Sequence, residues 1–272
     1  MANKRLLIIE DDYDVAEMLV MYFMSHQYEV HHADSGELGV ELARMKFPQL
    51  ILLDVMMPDI DGYETCLRIR NMALTKYIPI IFLTQRDERA NKVKGLELGA
   101  DDYVTKPFDI DELRLRVQAA IRRATRESLH EPRTGLPTGP LVQEEIARHQ
   151  LVDKPFHLVN LGLNNFSAYS DVYGFVAANE VFGFAAHTIQ QTLARQGSAN
   201  DFVGVVDDHF VLITYSSDLD KLIDTINAQF TEGVKPFYSF ADIERGGLLL
   251  NADTSEEQFY TLMTLAPLDA LV

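Results

Sequence analysis

Residues 50–62 read LILLDVMMPDIDG, an apolar run that ends on an acid and is then broken by Pro58 and Gly62. A strand wetted on one face alternates apolar and polar residues, so an unbroken run indicates a strand buried on both faces. Working outward, Leu6–Ile9 and Ile78–Leu83 repeat the pattern, each closed by a polar residue, and weaker strands fall at Tyr28–His32 and Asp102–Thr105. Between them, Val15, Met18, Leu19 and Tyr22, then Leu38, Val40, Leu42 and Met45, then Leu113, Leu115, Val117, Ala120 and Ile121 fall at helical spacing. Alternating strands and covering helices predict an α/β fold, a doubly wound five-stranded parallel sheet between two helical layers.

In such a sheet, ligands gather at the carboxyl ends of the strands, near the point where strand order reverses. The residues closing the apolar runs are Glu10 and Asp11, Asp54, Thr84 and Lys106. Carboxylates converging on one edge repel one another unless a cation sits among them, and hard oxygen ligands favour Mg²⁺. Lys106 supplies a further positive charge opposite them.

The stretches IIEDD, LILLDVMMPDIDG, IPIIFLT and GADDYVTKPF resemble, in order and spacing, the receiver domain of two-component response regulators over residues 1–125, a flavodoxin-like fold. The resemblance implies a phosphoryl acceptor at Asp54 and a Mg²⁺ pocket formed by Glu10, Asp11, Asp54 and the Met56 carbonyl. It also implies a switch through Thr84, Tyr103 and Lys106, in which Thr84 moves toward the phosphate and Tyr103 turns into the space vacated, and a cis peptide at Pro107 that aims the lysine. One departure stands out: Gln85 occupies a position where receivers carry a small residue, and its side chain crowds the route to Asp54. The segment NKVKGLELGADDYVTKPFDIDELRLRVQAAIRR resembles a receiver dimer face, with Lys92, Val93, Leu96, Asp101, Asp102, Glu112 and Arg116 supplying apolar contact and cross-subunit ion pairs. The implied partners are a histidine kinase and a second copy of the chain.

The chain has 272 residues, 47% apolar and 24% charged, too long for one ordinary core and long enough for two. Its single cysteine, Cys66, excludes an intramolecular disulfide, and MANKRLLIIEDD reaches acids too soon for a leader or membrane anchor, so a cytoplasmic protein without membrane insertion is expected. The formal charge of -17 argues against DNA or anionic lipid as a partner, since both are bound by neutralising phosphates. The charge is uneven: residues 1–133 carry 18 basic and 23 acidic side chains, residues 134–272 only 6 and 18.

The helical pattern after Asp109 runs through IRRATRESLH before RTGLPTGP breaks it, predicting a stiff helical connector over residues 126–133. From residue 134 the pattern reads as an α+β domain with a mainly antiparallel sheet. Helices are expected at Pro140–His149, Ala177–Arg195 and Leu219–Phe230, with strands at Phe156–Leu163, Phe202–Val206, Phe210–Thr214, Phe237–Phe240 and Gly247–Leu250 and a last short helix. Tyr173, Phe175, Phe182 and Phe184 are expected in the core. The order of elements, with TGLPTGPLVQEEI and VNLGLNNFSAYSDVYGFVAANEVF, resembles the GGDEF domain of diguanylate cyclases, a nucleotidyl-cyclase fold. Position by position, the metal aspartates of the first strand fall on Gly162 and Asn164, the phosphate lysine on Ser167, and the guanine-reading positions on Ser170 and Asn179. The signature hairpin reads Val206, Asp207, Asp208 and His209, keeping one acid. These losses leave too few carboxylates for Mg²⁺ and a triphosphate, so the domain is expected to be degenerate, not an enzyme, acting through dimerisation or an unidentified downstream protein. The alternatives are an active diguanylate cyclase making cyclic di-GMP from GTP and a non-catalytic nucleotide-binding effector domain.

Overall fold

The computed structural model describes residues 4–85, 100–126, 129–152, 154–250 and 258–268. Two compact units divide the chain, Ala2–Ser128 and Leu129–Val272.

In the first unit, β1 (Lys4–Ile9), β2 (Tyr28–Ala33), β3 (Leu50–Asp54), β4 (Ile80–Thr84) and β5 (Asp102–Thr105) form one sheet in the order β2-β1-β3-β4-β5, every pairing parallel. Successive residues point to opposite faces. Leu6, Ile8, Leu50, Leu52, Ile81 and Leu83 therefore pack on one layer, and Leu7, Ile9, Ile51, Leu53, Ile80 and Phe82 on the other. All twelve are buried, which accounts for the missing alternation, and each contributes about 1.5–3 kcal/mol of apolar burial.

The covering helices are α1 (Tyr13–Ser25), α2 (Gly36–Lys46), α3 (Gly62–Arg70) and α4 (Ile110–Arg126). Asp12 caps α1 by accepting from the Asp14 and Val15 amides at 3.0 and 3.2 Å, and Asp61 caps α3 through the Glu64 amide at 2.8 Å. Asp59 reaches back to accept from Gly36 and Glu37 at the start of α2, at 3.1 and 2.9 Å. The acids of MMPDID are thus spent on helix starts, so β3 ends directly beside two fixed helix N-termini.

The second unit contains β6 (His157–Leu163), β7 (Phe202–Val206), β8 (His209–Thr214) and β11 (Leu265–Pro267) in one antiparallel sheet ordered β11-β6-β8-β7, and β9 (Gly247–Leu250) with β10 (Gln258–Thr261) in another. Helices α5 (Pro140–Gln150), α6 (Phe166–Gln196), α7 (Leu219–Gly233) and α8 (Phe240–Arg245) accompany them. The β-α-β-β-α-β succession of β6, α6, β7, β8, α7 and β11, with its closing strand beside the first, is a ferredoxin-like arrangement. Helix α6 is interrupted at Gly174, where φ is 83°.

Several expectations fail here for local reasons. The connector is not helical over residues 129–133: His130 forms a β-bridge with Pro137, and the Gly135 amide donates to the Glu131 carbonyl at 2.7 Å, a turn imposed by Pro132 and by Gly135 at φ 75°. Phe237–Phe240 is no strand, because Pro236 sits in a 3₁₀ turn over Lys235–Phe237 and Ser239 caps α8. After Leu250, where a last short helix is expected, the described residues 258–268 hold the strands β10 and β11. Phe182 is fully buried, whereas Phe175, turned out beyond Gly174, is 73% exposed. No helix among the described residues is long and apolar enough to cross a membrane.

Candidate functional site: an acidic pocket closed by a lysine

The reversal of strand order lies between β1 and β3, so Glu10, Asp11 and Asp54 meet at the carboxyl edge of the sheet. They offer ligand oxygens all within 4.8 Å of one another. Glu10 and Asp54 are buried and Asp11 is exposed. Lys106, just past β5, donates to both Glu10 oxygens at 2.8 and 2.7 Å and to Asp54 Oδ2 at 2.9 Å. The peptide bond between Lys106 and Pro107 is cis. The Met56 amide donates to Asp54 Oδ1 at 3.2 Å, which brings the Met56 backbone to the acid.

Burial pushes the Glu10 carboxyl up to about 7, against the lowering pull of Lys106 and with Asp54 adding to the rise. Desolvation lowers the Lys106 pKa, but the hydrogen bonds to Glu10 and Asp54 outweigh it and the net shift is upward. One ammonium thus serves two buried carboxylates while Asp11 stays outside its reach of contacts. An all-oxygen donor set with spare carboxylate capacity fits a hard divalent cation, and receiver domains bind Mg²⁺ through such an acidic pocket.

The structure brings the remaining receiver residues to the same edge. Thr84 is buried at the end of β4. Tyr103 stacks on Phe82 with ring centroids 5.1 Å apart, and burial raises its pKa. The ring is therefore already packed inward, and the switch reading requires this position to be one of two. Gln85 lines a cavity of about 570 Å³ with Val15, Met18, Lys106, Pro107 and Phe108. Sequence reading missed the apolar lip of this cavity and missed His32, whose Nε2 lies 2.9 Å from the Glu10 carbonyl; strand register alone carried that signal.

Of the dimer-face residues, Lys92, Val93 and Leu96 lie outside the described residues. Asp101 accepts from the Ile80 amide at 2.9 Å, and Arg116 pairs with Asp102 at 2.9 Å and Glu112 at 2.8 Å. These pairs are satisfied within one copy, so a shared interface would have to exchange them.

In the second unit, the register Leu161 to Phe210 carries Gly162 to the level of His209, so the end of β6 and the β7–β8 hairpin tip meet. Gly162 pairs with Ala266, and a Cβ placed on it would lie 2.5 Å from the Leu268 side chain. An aspartate there would have to displace the Leu268 side chain, which is 37% exposed. Asn164 is bound to Thr264 through its amide side chain at 3.0 Å. The positive φ at the tip, 52°, falls on Asp207 and not on Val206, which is a regular strand residue paired with His209. Asp208 accepts from Arg133 at 3.1 Å.

Residues 6–118 match the family described as the response regulator receiver domain. The chain is 43% identical over 122 residues to the alkaline phosphatase synthesis transcriptional regulatory protein PhoP of Bacillus subtilis, covering 45% of this chain and 50% of that protein. It is 40% identical over 122 residues to the DNA-binding dual master transcriptional regulator RpaA of Synechocystis, covering 45% and 51%. The uncharacterized transcriptional regulatory protein YrkP of Bacillus subtilis is 36% identical over 187 residues, 62% of this chain and 79% of that one. A response regulator structure from Chloroflexus aurantiacus, 41% identical, covers 44% of this chain and 99% of that chain at a TM-score of 0.43. The chain spans about half the length of the first curated relatives it matches. Such names give no support to the expectation that DNA is not a partner, and none of them points to a GGDEF domain. With its receiver pocket spread over the matched residues, the chain belongs to the response regulator receiver family.

Proposed function

We propose that the protein is a response regulator that accepts a phosphoryl group on Asp54 from a histidine kinase and signals through a second, non-catalytic unit by protein contact. The observation that carries the receiver half is the Lys106 ammonium bridging Asp54 and Glu10 beside Asp11. Transfer is in line: an Asp54 oxygen forms the new P–O bond while the P–N bond to the donor imidazole breaks, the imidazole leaving with the electron pair. The Met56 amide fixes Asp54 Oδ1, and Lys106 neutralises charge on the phosphoryl oxygens. Glu10, Asp11, Asp54 and the Met56 carbonyl would hold Mg²⁺, which supplies the remaining charge neutralisation. The Thr84 hydroxyl then takes a phosphoryl oxygen, and the balance of Tyr103 between its position on Phe82 and an outward one changes the surface beside β5.

The second unit is a degenerate GGDEF-like domain on this reading, supported by its ferredoxin-like strand order. Against catalysis stand Gly162 under Leu268 and the pairing of Asp208. A DNA-binding output, which the Synechocystis relative's name carries, needs a cationic face; residues 134–272 hold 6 basic and 18 acidic side chains, so we do not adopt it. Incubation with a small acyl phosphate donor and Mg²⁺ tests the reading: Asp54 becomes labelled and Asp54→Asn abolishes the label, while label persisting in the variant sinks it. No shift in anisotropy of a labelled duplex is expected with the full chain at physiological salt.

A further inference from the structure

The second unit shows large apolar side chains to solvent on either side of one joint in its fold. Val172, Phe175 and Val176 are exposed on α6, and Phe240, the first residue of α8, is 74% exposed. The joint is Tyr173, whose hydroxyl accepts from the Ser239 amide at 2.7 Å and donates to Asp242 Oδ2. Its ring stacks on Tyr169 with centroids 4.7 Å apart, and both rings meet Tyr238 edge-on. Tyr169 is fully buried and donates to the Phe237 carbonyl at 2.8 Å, so the start of α8 is fastened to α6. Chain dimensions then keep Phe175 and Phe240 within about 20 Å of each other, the length of about 14 helical residues. Aromatic side chains carried on fastened backbone lose little further freedom when a partner covers them.

The acids beside these residues are free. Asp171, Glu180 and Glu244 make no ion pair among the described residues. Glu180 lies one turn after Val176, and Glu244 one turn after Phe240. Burial raises the Tyr169 pKa to about 12, with Tyr238, Tyr173 and Glu180 adding to the rise, which sets Glu180 beside the tyrosine cluster. The cations of the adjoining segment are already taken, Lys235 by Glu232 at 2.5 Å and Arg245 by Asp242 at 3.0 Å.

We propose that Val172, Phe175, Val176 and Phe240 form the surface on which the second unit docks a cationic amphipathic helix of another protein. The inference rests on the contact-signalling reading above and gives the downstream partner a chemistry. Charge selects the occupant. A second copy would bring a unit with 6 basic and 18 acidic side chains against the same acids, and an anionic lipid surface would add phosphates. A helix with an apolar stripe flanked by Lys and Arg meets the phenylalanines with its stripe and the three carboxylates with its flanks.

The test uses a fluorescein-labelled 14-residue peptide of Leu and Lys, with Leu at helical spacing, titrated with the full chain at physiological salt and read by anisotropy. A Leu and Glu counterpart is the control. Saturable one-to-one binding of the Lys peptide alone is expected. Phe175→Ser with Phe240→Ser should weaken it by about tenfold or more. Asp171→Asn with Glu180→Gln and Glu244→Gln should weaken it less and flatten its salt dependence. Leu151→Ser, at an exposed residue that ends α5, should leave the affinity unchanged. Near-ultraviolet circular dichroism checks that each variant is folded, and should the double phenylalanine variant unfold, Phe240→Ser alone replaces it. Equal binding of both peptides, an affinity indifferent to the phenylalanine variants, or a wild-type dimer that those variants dissolve in analytical sedimentation overturns the inference. Failure of an acyl phosphate to label Asp54 would overturn the broader reading instead, and the peptide titration does not touch that result.

Discussion

Both units bring carboxylates together at the end of a sheet and both meet them with a side-chain cation, but the two solutions differ in what they leave free. At the receiver edge, Lys106 reaches Glu10 and Asp54 from a separate strand end, with Asp11 exposed beside them. A flexible ammonium that serves two buried acids can shift as a phosphoryl group arrives. At the hairpin tip, Arg133 is stacked, forked and paired, and the neighbouring strand position is filled by a leucine. One site holds charge in a form that can be reorganised; the other has it committed. A carboxylate cluster is evidence of chemistry only when its counter-charge can move.

The largest effect expected from breaking this contrast is at Lys106. Lys106→Met should lower the rate of Asp54 phosphorylation by about 10²–10³-fold, the usual cost of removing one positioned charge stabiliser, measured by stopped-flow against a small acyl phosphate; an unchanged rate would mean that the lysine only holds the fold. Next, Phe82→Ala should cost about 3–5 kcal/mol of receiver stability, because the ring is fully buried and carries Tyr103; denaturant unfolding reads it. In the second unit, Gly162→Asp, meant to restore a metal acid, should instead destabilise by about 1–3 kcal/mol through overpacking against Leu268, with no gain of cyclase activity.

The smallest effects are opposite pH slopes. Glu10 has a folded pKa raised to about 7, so its contribution to stability is full below its ordinary value of 4.5 and is lost as pH rises through about 7. The stability of the wild type relative to Glu10→Gln should therefore fall across that window. Asp242 in the second unit is shifted the other way, chiefly by the hydrogen bond from Tyr173 and then by that from Ser239. Its contribution is present above its ordinary value of 3.8 and lost as pH falls through the lower folded value, so wild type and Asp242→Asn should converge in acid. Melting temperatures against pH check both signs.

The receiver was legible because its signals are local. Buried strands lack alternation, and two of them, β3 and β4, end on the polar residues Asp54 and Thr84. The second unit hides its logic in long-range contacts. Aromatic residues at 237–240 look like a strand until Pro236 and the Ser239 cap act on them. Phe175 looks like core until Gly174 turns the helix. Asp208 could be read as a surviving metal ligand, but nothing near it in sequence announces that Arg133 pairs with it, and the side chain that a larger residue at position 162 would have to displace is a leucine more than a hundred residues later. The helical connector failed for a mixed reason: the amphipathic pattern persisted past Arg126, but the turn at Pro132 and Gly135 claimed the following residues.

The contrast is tested most directly by phosphorus NMR of the full chain given a small acyl phosphate donor, GTP and Mg²⁺ together. The account predicts an acyl phosphate resonance on the protein that Asp54→Asn removes, with the GTP resonances unchanged. Conversion of GTP to a cyclic dinucleotide, or a protein-bound acyl phosphate that survives Asp54→Asn, would contradict it.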